Sequence, residues 1–260
     1  MPADQDALKT SEDAVLGGRL RLRQPLVGHR VGHDAILLAA ATGGRAGEHA
    51  VDLGAGVGAA GLALAMRVPA LKVTLVEIDA ALSALAADNA RTNSLADRVR
   101  AVTCNAEDVN ALAAAGLAGA CADRVLMNPP FQDAARHNVS PDALRRLAHA
   151  GGPGLLARWI AAAAFLLRTG GALTLIWRAD EVDAVLAALA PGFGGAAVLP
   201  VAPREGAPAI RMLVRAVKGG AGAPHYRAAL NLNDARGRPS EAAEAVLRGG
   251  QTLVLAEDEG

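Results

Sequence analysis

The segment Ala50-Val51-Asp52-Leu53-Gly54-Ala55-Gly56-Val57-Gly58 narrows the choice of fold more than any other part of the 260-residue chain. A short apolar run ending in three alternating glycines reads as a buried strand that turns sharply into a helix, here running to about Arg67. Glycine enters positive φ without steric cost and lets a backbone pass close beneath a ligand. A strand, glycine turn and helix in this order belong to a parallel α/β sheet, whose ligands lie in the crevice outside the carboxyl ends of the strands.

The same alternation continues downstream. Leu71 to Val76, Arg98 to Thr103 and Asp123 to Met127 read as strands, with helices over Asp79 to Asn93 and Val109 to Leu117 between them. Further on come a helix over Leu155 to Arg168 capped by Gly170-Gly171, a strand over Ala172 to Trp177 and a helix over Asp180 to Ala190. Two strands, Ala196 to Val201 and Ala209 to Val217, are close enough in sequence to form an antiparallel pair. The expected architecture is α/β: a Rossmann-like, doubly wound sheet of seven strands, the last antiparallel. Ahead of it, Ala14 to Arg23 reads as a hairpin around Gly17-Gly18, and Ala35 to Thr42 as a helix with Asp34 as N-cap. Residues 1 to 13 are expected to be disordered, 14 to 218 to form the main domain, and 219 to 260 a small extension. That extension reads as a hairpin around Asn233 to Gly237 and a helix over Pro239 to Leu247.

Charge gives little away at the level of the whole chain, because Lys plus Arg and Asp plus Glu number 26 each. Any nucleic-acid contact must therefore be local. Arg19, Arg21 and Arg23 alternate with Leu20 and Leu22, which suits either a charged edge strand or a phosphate-contacting face. Arg136, Arg145 and Arg146 fall in the irregular stretch from Gln132 to Gly154, long enough inside a compact domain to read as functional or disordered. Cys104 and Cys121 show no metal-ligand spacing, so no metal site is expected. The start, MPADQDALKTSEDAV, lacks the basic and apolar regions of a signal peptide, and no stretch is apolar enough to span a bilayer; the expected location is cytoplasmic.

Candidate site residues gather at strand ends. Asp52 closes its strand two places before Gly54, where it could meet an ammonium group, and Glu77, about twenty residues past the glycine turn, stands where an acidic side chain meets ribose hydroxyls. The glycine pattern, with Ala59 in its last position, also fits a dinucleotide fold. Asn105 follows the third strand. After Met127, the sequence Asn128-Pro129-Pro130-Phe131 ends a strand where the prolines remove ladder donors. It sets an amide, a fixed carbonyl and a ring together, which suits a planar amine such as a nucleobase.

Asp-x-Gly-x-Gly-x-Gly at 52 to 58, the acidic strand end at Glu77 and Asn128-Pro129-Pro130-Phe131 together resemble the class I S-adenosyl-L-methionine-dependent methyltransferases that methylate planar amines. With Gly32-His33-Asp34-Ala35-Ile36-Leu37-Leu38, the chain is similar to the bacterial methyltransferase small domain group, whose best-known members methylate adenine N6 in a valine tRNA. The resemblance covers roughly residues 14 to 217. It implies that Asp52, Gly54, Ala55, Gly56 and Gly58 hold the methionine part of S-adenosyl-L-methionine, Glu77 the ribose and Asn105 the adenine. Asp34, Ile78, Ala106 and Asn128 complete the implied cofactor-binding set. The family usually has aspartate where Asn105 stands. Asn128, Pro129, Pro130 and Phe131 would form the catalytic pocket, and the six arginines named above would bind RNA. His29, His33, His137 and His149 are less needed as bases, because the methyl donor is already activated. Guanine-N2 methylation of ribosomal RNA, glutamine-N5 methylation of protein, a small-molecule amine target and a non-catalytic RNA-binding role are the competing readings. The sequence does not bear on oligomeric state.

Overall fold

Strands covered on both faces carry apolar runs rather than strict alternation, and five parallel strands form the heart of the sheet, the four inner ones mostly buried and the one at its edge only partly. They are β3 (His49–Leu53), β4 (Lys72–Glu77), β5 (Val99–Thr103), β6 (Ala122–Met127) and β7 (Leu167–Arg178), all parallel. The computed structural model describes residues 9–28, 30–130 and 154–257. On one face, Ala50, Leu75 and Leu126 pack among residues of α1 (His33–Ala41), α2 (Ala59–Arg67) and α3 (Ala80–Thr92). On the other, Val51, Leu53, Val76, Val125 and Met127 pack among α4 (Val109–Ala114), α5 (Leu155–Leu166) and α6 (Val182–Leu189). This is the doubly wound arrangement expected from the sequence.

Two further long strands, β8 (Phe193–Arg204) and β9 (Arg211–Lys218), pair antiparallel, and β9 also pairs antiparallel with β7. Across the sheet the order is β8, β9, β7, β6, β3, β4, β5. The last of the expected seven strands is thus antiparallel, and it is inserted between β7 and β8. The sheet itself is wider than expected. β10 (His225–Tyr226) and β11 (Leu230–Asn233) both join the outer side of β8 in parallel, making nine strands among the described residues. The tight turn expected at 233 to 237 is present, with Asp234 accepting from the Arg236 and Arg238 N–H groups. The arm before it, β11, joins the main sheet and the arm after it leads into a helix, so no hairpin forms among the described residues beyond one isolated bridge between Asn233 and Pro239. α7 (Glu241–Leu247), capped by Ser240, then packs on α1.

Three local expectations are corrected. The hairpin begins earlier than Ala14: β1 (Thr10–Val15) pairs with β2 (Leu20–Pro25) from Thr10 onward. Residues 10 to 13, expected to be disordered, are held because Asp13 accepts from Gln24 Nε2 at 2.7 Å and pairs with Arg30 at 2.6 Å. Asp34 is not the cap of α1. The helix starts one residue before it, with Gly32 at the N-cap, and Asp34 instead accepts from Arg211 Nε at 3.0 Å. Gly170 and Gly171 lie inside β7 rather than closing α5. Lys218 caps that helix, its ammonium donating to the carbonyls of Ala164 and Leu167 at 2.6 and 2.7 Å.

At the amino edge, Arg124 of β6, only 6% exposed, donates through Nε and Nη2 to Glu48 just before β3, at 3.0 and 3.2 Å. This bidentate pair joins the two strands on which both sequence motifs ride. Removing the carboxylate leaves a desolvated guanidinium short of its counter-charge, so Glu48→Ala is expected to cost about 3 kcal/mol. Chemical denaturation would read this as a lower midpoint with an unchanged slope; an unchanged midpoint would mean that the remaining contacts of Arg124 suffice.

Candidate functional site

The chain leaves β3 through a turn in which Gly54, Gly56 and Gly58 have φ of 69°, 57° and 90°. At Gly54 the constraint is spatial as well as conformational. A Cβ there would lie 2.4 Å from Cη2 of Trp159, whose indole reaches from α5 to underlie the turn. Nothing stands within 4 Å of the corresponding point on Gly56, so the turn is braced below and open above. Hydrogen bonds hold three of its N–H groups: that of Ala55 donates to the Val76 carbonyl at 2.9 Å, that of Gly56 to Glu77 Oε2 at 2.8 Å, and that of Gly58 to the Ala55 carbonyl at 2.8 Å.

That pattern limits what the turn can hold. A dinucleotide pyrophosphate is cradled by free backbone N–H groups at a glycine turn and helix N-terminus. Here the N–H groups of Ala55, Gly56 and Gly58 are spent within the protein, which removes three donors from any such cradle.

Glu77 closes β4 and is 8% exposed. Besides Gly56, its carboxylate accepts from the Asp79 N–H at 2.9 Å, which fixes it at the crevice with lone pairs still available. Ile78 follows with 65% of its surface exposed, an apolar side chain standing in solvent beside a buried carboxylate. Asn105 is exposed after β5, and its Oδ1 accepts from the Glu107 N–H at 3.0 Å, so the amide oxygen is already engaged in a local turn. Ala106 is buried.

Asp52 differs from its expected exposure to a ligand. It is 2% exposed and turns inward, Oδ2 accepting from the Gly61 N–H in the first turn of α2 at 2.8 Å. Only its second oxygen is left for any contact with an ammonium group. Burial pushes its carboxyl up to about 7, the Gly61 N–H opposes that rise, and the Glu77 charge adds to it.

Next to β3, strand β6 ends at Met127, paired with Leu53, so Asn128 emerges beside Gly54. Oδ1 of Asn128 is buried and accepts no hydrogen bond from the described residues. A buried, unsatisfied amide oxygen is costly, commonly by about 1 to 3 kcal/mol, and invites a functional explanation. Pro129 is buried and Pro130 half-buried. Nε1 of Trp159 is likewise buried without a partner.

The expected RNA-contacting arginines divide into two groups. Arg19 donates to the carbonyls of Leu16 and Arg248, Arg21 to Glu12, and Arg23 to Thr10 Oγ1, so the hairpin guanidiniums all carry internal bonds. Arg21 and Arg23 still keep side chains 60% and 47% exposed. Phe131, Arg136, Arg145 and Arg146 lie outside the described residues, as do His29, His137 and His149.

Comparison with known proteins agrees with this geometry. The methyltransferase small domain family matches residues 31–199. The chain belongs to that family. A tRNA1(Val) (adenine(37)-N6)-methyltransferase of Porphyromonas gingivalis strain W83 is 31% identical over 157 residues, 59% of this chain and 60% of that protein. The chain thus aligns with about three-fifths of the length of that relative. A crystal structure of a predicted O-methyltransferase from Agrobacterium tumefaciens superimposes with a TM-score of 0.71 at 29% identity, covering 85% of this chain and 98% of the other. A putative transferase of Pyrococcus horikoshii, at 13% identity and a TM-score of 0.55 over 82% of this chain and 73% of its own, shares the fold.

The cofactor of this methyltransferase small domain protein is S-adenosylmethionine, and the site fits it. The turn is open above Gly56, has three of its N–H groups engaged within the protein, and is flanked by a buried carboxylate and an exposed apolar side chain. Among the described residues no cluster of His, Cys, Asp and Glu could hold a metal ion, and no helix is long and apolar enough to cross a membrane. Two structural residues of the site were not foreseen as such: Trp159, read as core, underlies Gly54, and Asn89 of α3 donates to the Val57 carbonyl at 3.0 Å. A polar residue on the buried face of an otherwise alanine-rich helix was the available signal for Asn89.

Asp52 sets a pH dependence. Its native pKa, about 7, lies above the ordinary 3.8, so the folded state binds this proton more tightly than the unfolded chain. The contribution to stability is complete below the ordinary value and is lost as pH rises through the native one. In thermal melts without cofactor, the wild type is expected to lose stability over that window, and Asp52→Asn to show a flatter profile. Parallel profiles for the two proteins would show that Asp52 does not titrate there.

Proposed function

We propose that this protein transfers a methyl group from S-adenosylmethionine to the exocyclic amine of a nucleobase, adenine N6 in a tRNA. The observation that carries the reading is the buried, unpartnered Oδ1 of Asn128, emerging beside the glycine turn. An exocyclic amine supplies the donor that this oxygen lacks. The tRNA adenine-N6 methyltransferase among the relatives supports the choice of base and of RNA.

When bound, S-adenosylmethionine supplies a methyl group activated by a positively charged sulfur. The protein's task is then orientation. The lone pair of a nucleobase amine is delocalised into the ring, and two acceptors that take its two hydrogens favour the geometry in which the pair points at the methyl group. Oδ1 of Asn128 is one acceptor and the Pro129 carbonyl the other, and both stabilise the charge that builds on nitrogen. Phe131 stacks on the base. Glu77 receives the ribose hydroxyls and Ile78 covers the neighbouring ring, while Gly54 to Gly58 give the methionine part its room. Asn105 meets the adenine through its amide nitrogen or second lone pair. Arg21 and Arg23 present their exposed guanidinium edges to phosphates; Arg136, Arg145 and Arg146 are further candidates by sequence alone.

The likeness to a predicted O-methyltransferase favours a second reading, methylation of a hydroxyl. A hydroxyl needs a base to remove its one hydrogen as it attacks, whereas an amine attacks as the neutral group and sheds one proton to water after methylation, so an amide oxygen that accepts a hydrogen bond without taking the proton suits the amine.

Labelled S-adenosylmethionine, offered with undermodified tRNA, ribosomal RNA and ribosomal protein in separate reactions, tests the target. Label in N6-methyladenine of the tRNA is expected; label on a ribose or phenol oxygen would establish the second reading. Asn128→Ala should lower kcat about a hundredfold or more, by analogy with losing one oxyanion-type partner, and leave S-adenosylhomocysteine binding intact. Near-normal turnover would reduce the motif to a strand end. Glu77→Ala should weaken S-adenosylhomocysteine binding by about 1 to 3 kcal/mol in calorimetry, through loss of a charge-assisted contact. Unchanged affinity would remove Glu77 from the site.

A further inference from the structure

Asn89 is fully buried in α3, and its amide has three protein partners. Oδ1 accepts from the Arg23 N–H at 2.8 Å, while Nδ2 donates at 3.0 Å both to the Arg23 carbonyl and to the Val57 carbonyl. One helical turn later, Asn93 repeats the first part of this pattern. Its Oδ1 accepts from the Arg21 N–H at 3.0 Å and its Nδ2 donates to the Arg21 carbonyl at 2.7 Å. The two amides therefore do for the outer edge of β2 what a neighbouring strand would do, each satisfying the N–H and C=O of one residue. They differ in one respect: the second Nδ2 bond of Asn93 goes to the Asn89 carbonyl within α3, and that of Asn89 goes to the glycine turn.

The contact with Val57 matters because of where it falls. The neighbouring peptides of the turn are fixed by Val76, Glu77 and Ala55, as described above, and Asn89 Nδ2 is the described partner of the Val57 carbonyl. The peptide that carries this carbonyl leads into Gly58, which sits at positive φ at the N-cap of α2. Glycine tolerates the opposite peptide orientation as well as this one, so the local chain does not by itself choose between them. A buried amide donor does choose, because turning the carbonyl away would leave both groups unsatisfied.

We propose that Asn89 is a positioning residue of the cofactor site, setting the peptide between Val57 and Gly58 and thereby making the N-terminal hairpin part of that site. The proposal rests on the reading of the turn as the seat of S-adenosylmethionine. A single amide bonds the hairpin and the turn, so a ligand that orders the turn also strengthens the hold on β2, and loss of that hold loosens the turn. The coupling is reciprocal, as linkage between two sites must be.

Asn93 provides the matched control, since it bonds the same strand but has no contact with the turn. Calorimetry with S-adenosylhomocysteine and thermal melts should be run on the wild type, Asn89→Ala and Asn93→Ala, at a temperature where all are folded. Both variants are expected to melt earlier. Asn89→Ala should raise the dissociation constant about tenfold, the effect of losing one well-placed hydrogen bond that preorganises the site, and Asn93→Ala by less than about twofold. Equal affinity in Asn89→Ala and the wild type, or equal weakening in both variants, would overturn the proposal. A wild type that fails to take up S-adenosylhomocysteine would instead remove the cofactor reading beneath it. Should Asn89→Ala not fold, hydrogen exchange in the wild type decides the matter. Saturating S-adenosylhomocysteine is expected to slow exchange of the Arg23 amide, and an unchanged rate would refute the coupling.

Discussion

Leu53 pairs with Met127 in the parallel ladder between β3 and β6, and that one register places the glycine turn beside Asn128. Side chains alternate along a strand, so a slip of one residue would turn Asp52 away from α2 and move Asn128 to the opposite face. The register is guarded at the other end of the same strands. Arg124 binds Glu48, and the His49 N–H donates to Asp123 at 2.8 Å. Chemistry at the carboxyl edge thus depends on two polar contacts at the amino edge, one strand length away.

The layered sheet, and the ends of its strands at Glu77 and Met127, were legible in the sequence because they rest on local rules. Continuous apolar runs mark strands covered on both faces, and three alternating glycines mark a turn that other residues cannot follow. Asn128 stood out by the prolines behind it. What escaped depended on partners distant in sequence. Asp34 had every property of an N-cap, but Arg211 claims it from β9. The glycines at 170 and 171 had the look of a helix stop, while Lys218 supplies the cap and the glycines enter the sheet. Asp52 appeared to be a ligand contact at a strand end, and its depth was hidden because only the packing of α2 reveals it.

Two strands, β8 and β2, have their outer edges covered in different ways. β8 acquires β10 and β11 in parallel, so its outer hydrogen-bonding groups meet other main chain. β2 has no further strand, and side-chain amides from a helix serve instead. Either device removes the row of unpaired groups that makes an open edge a template for another chain. The second device leaves a trace at the level of sequence: asparagines at helical spacing i and i+4 on a face that otherwise reads Ala86 and Ala90. Asparagine is a mediocre helix former, and its presence there reflects a partner rather than a propensity.

The guanidinium of Arg19 donates to the Arg248 carbonyl across 229 residues, and the Leu253 N–H donates to the Ala40 carbonyl at 2.8 Å. These clasps set an order of assembly. While the chain is being made, the hairpin and α1 leave the ribosome long before the residues that seal them, and for that interval their apolar surface has no final cover. Contacts of such long sequence separation form late and slow the search. The hairpin and α1 are therefore sealed only once the segment from Arg248 to Leu253 has been made.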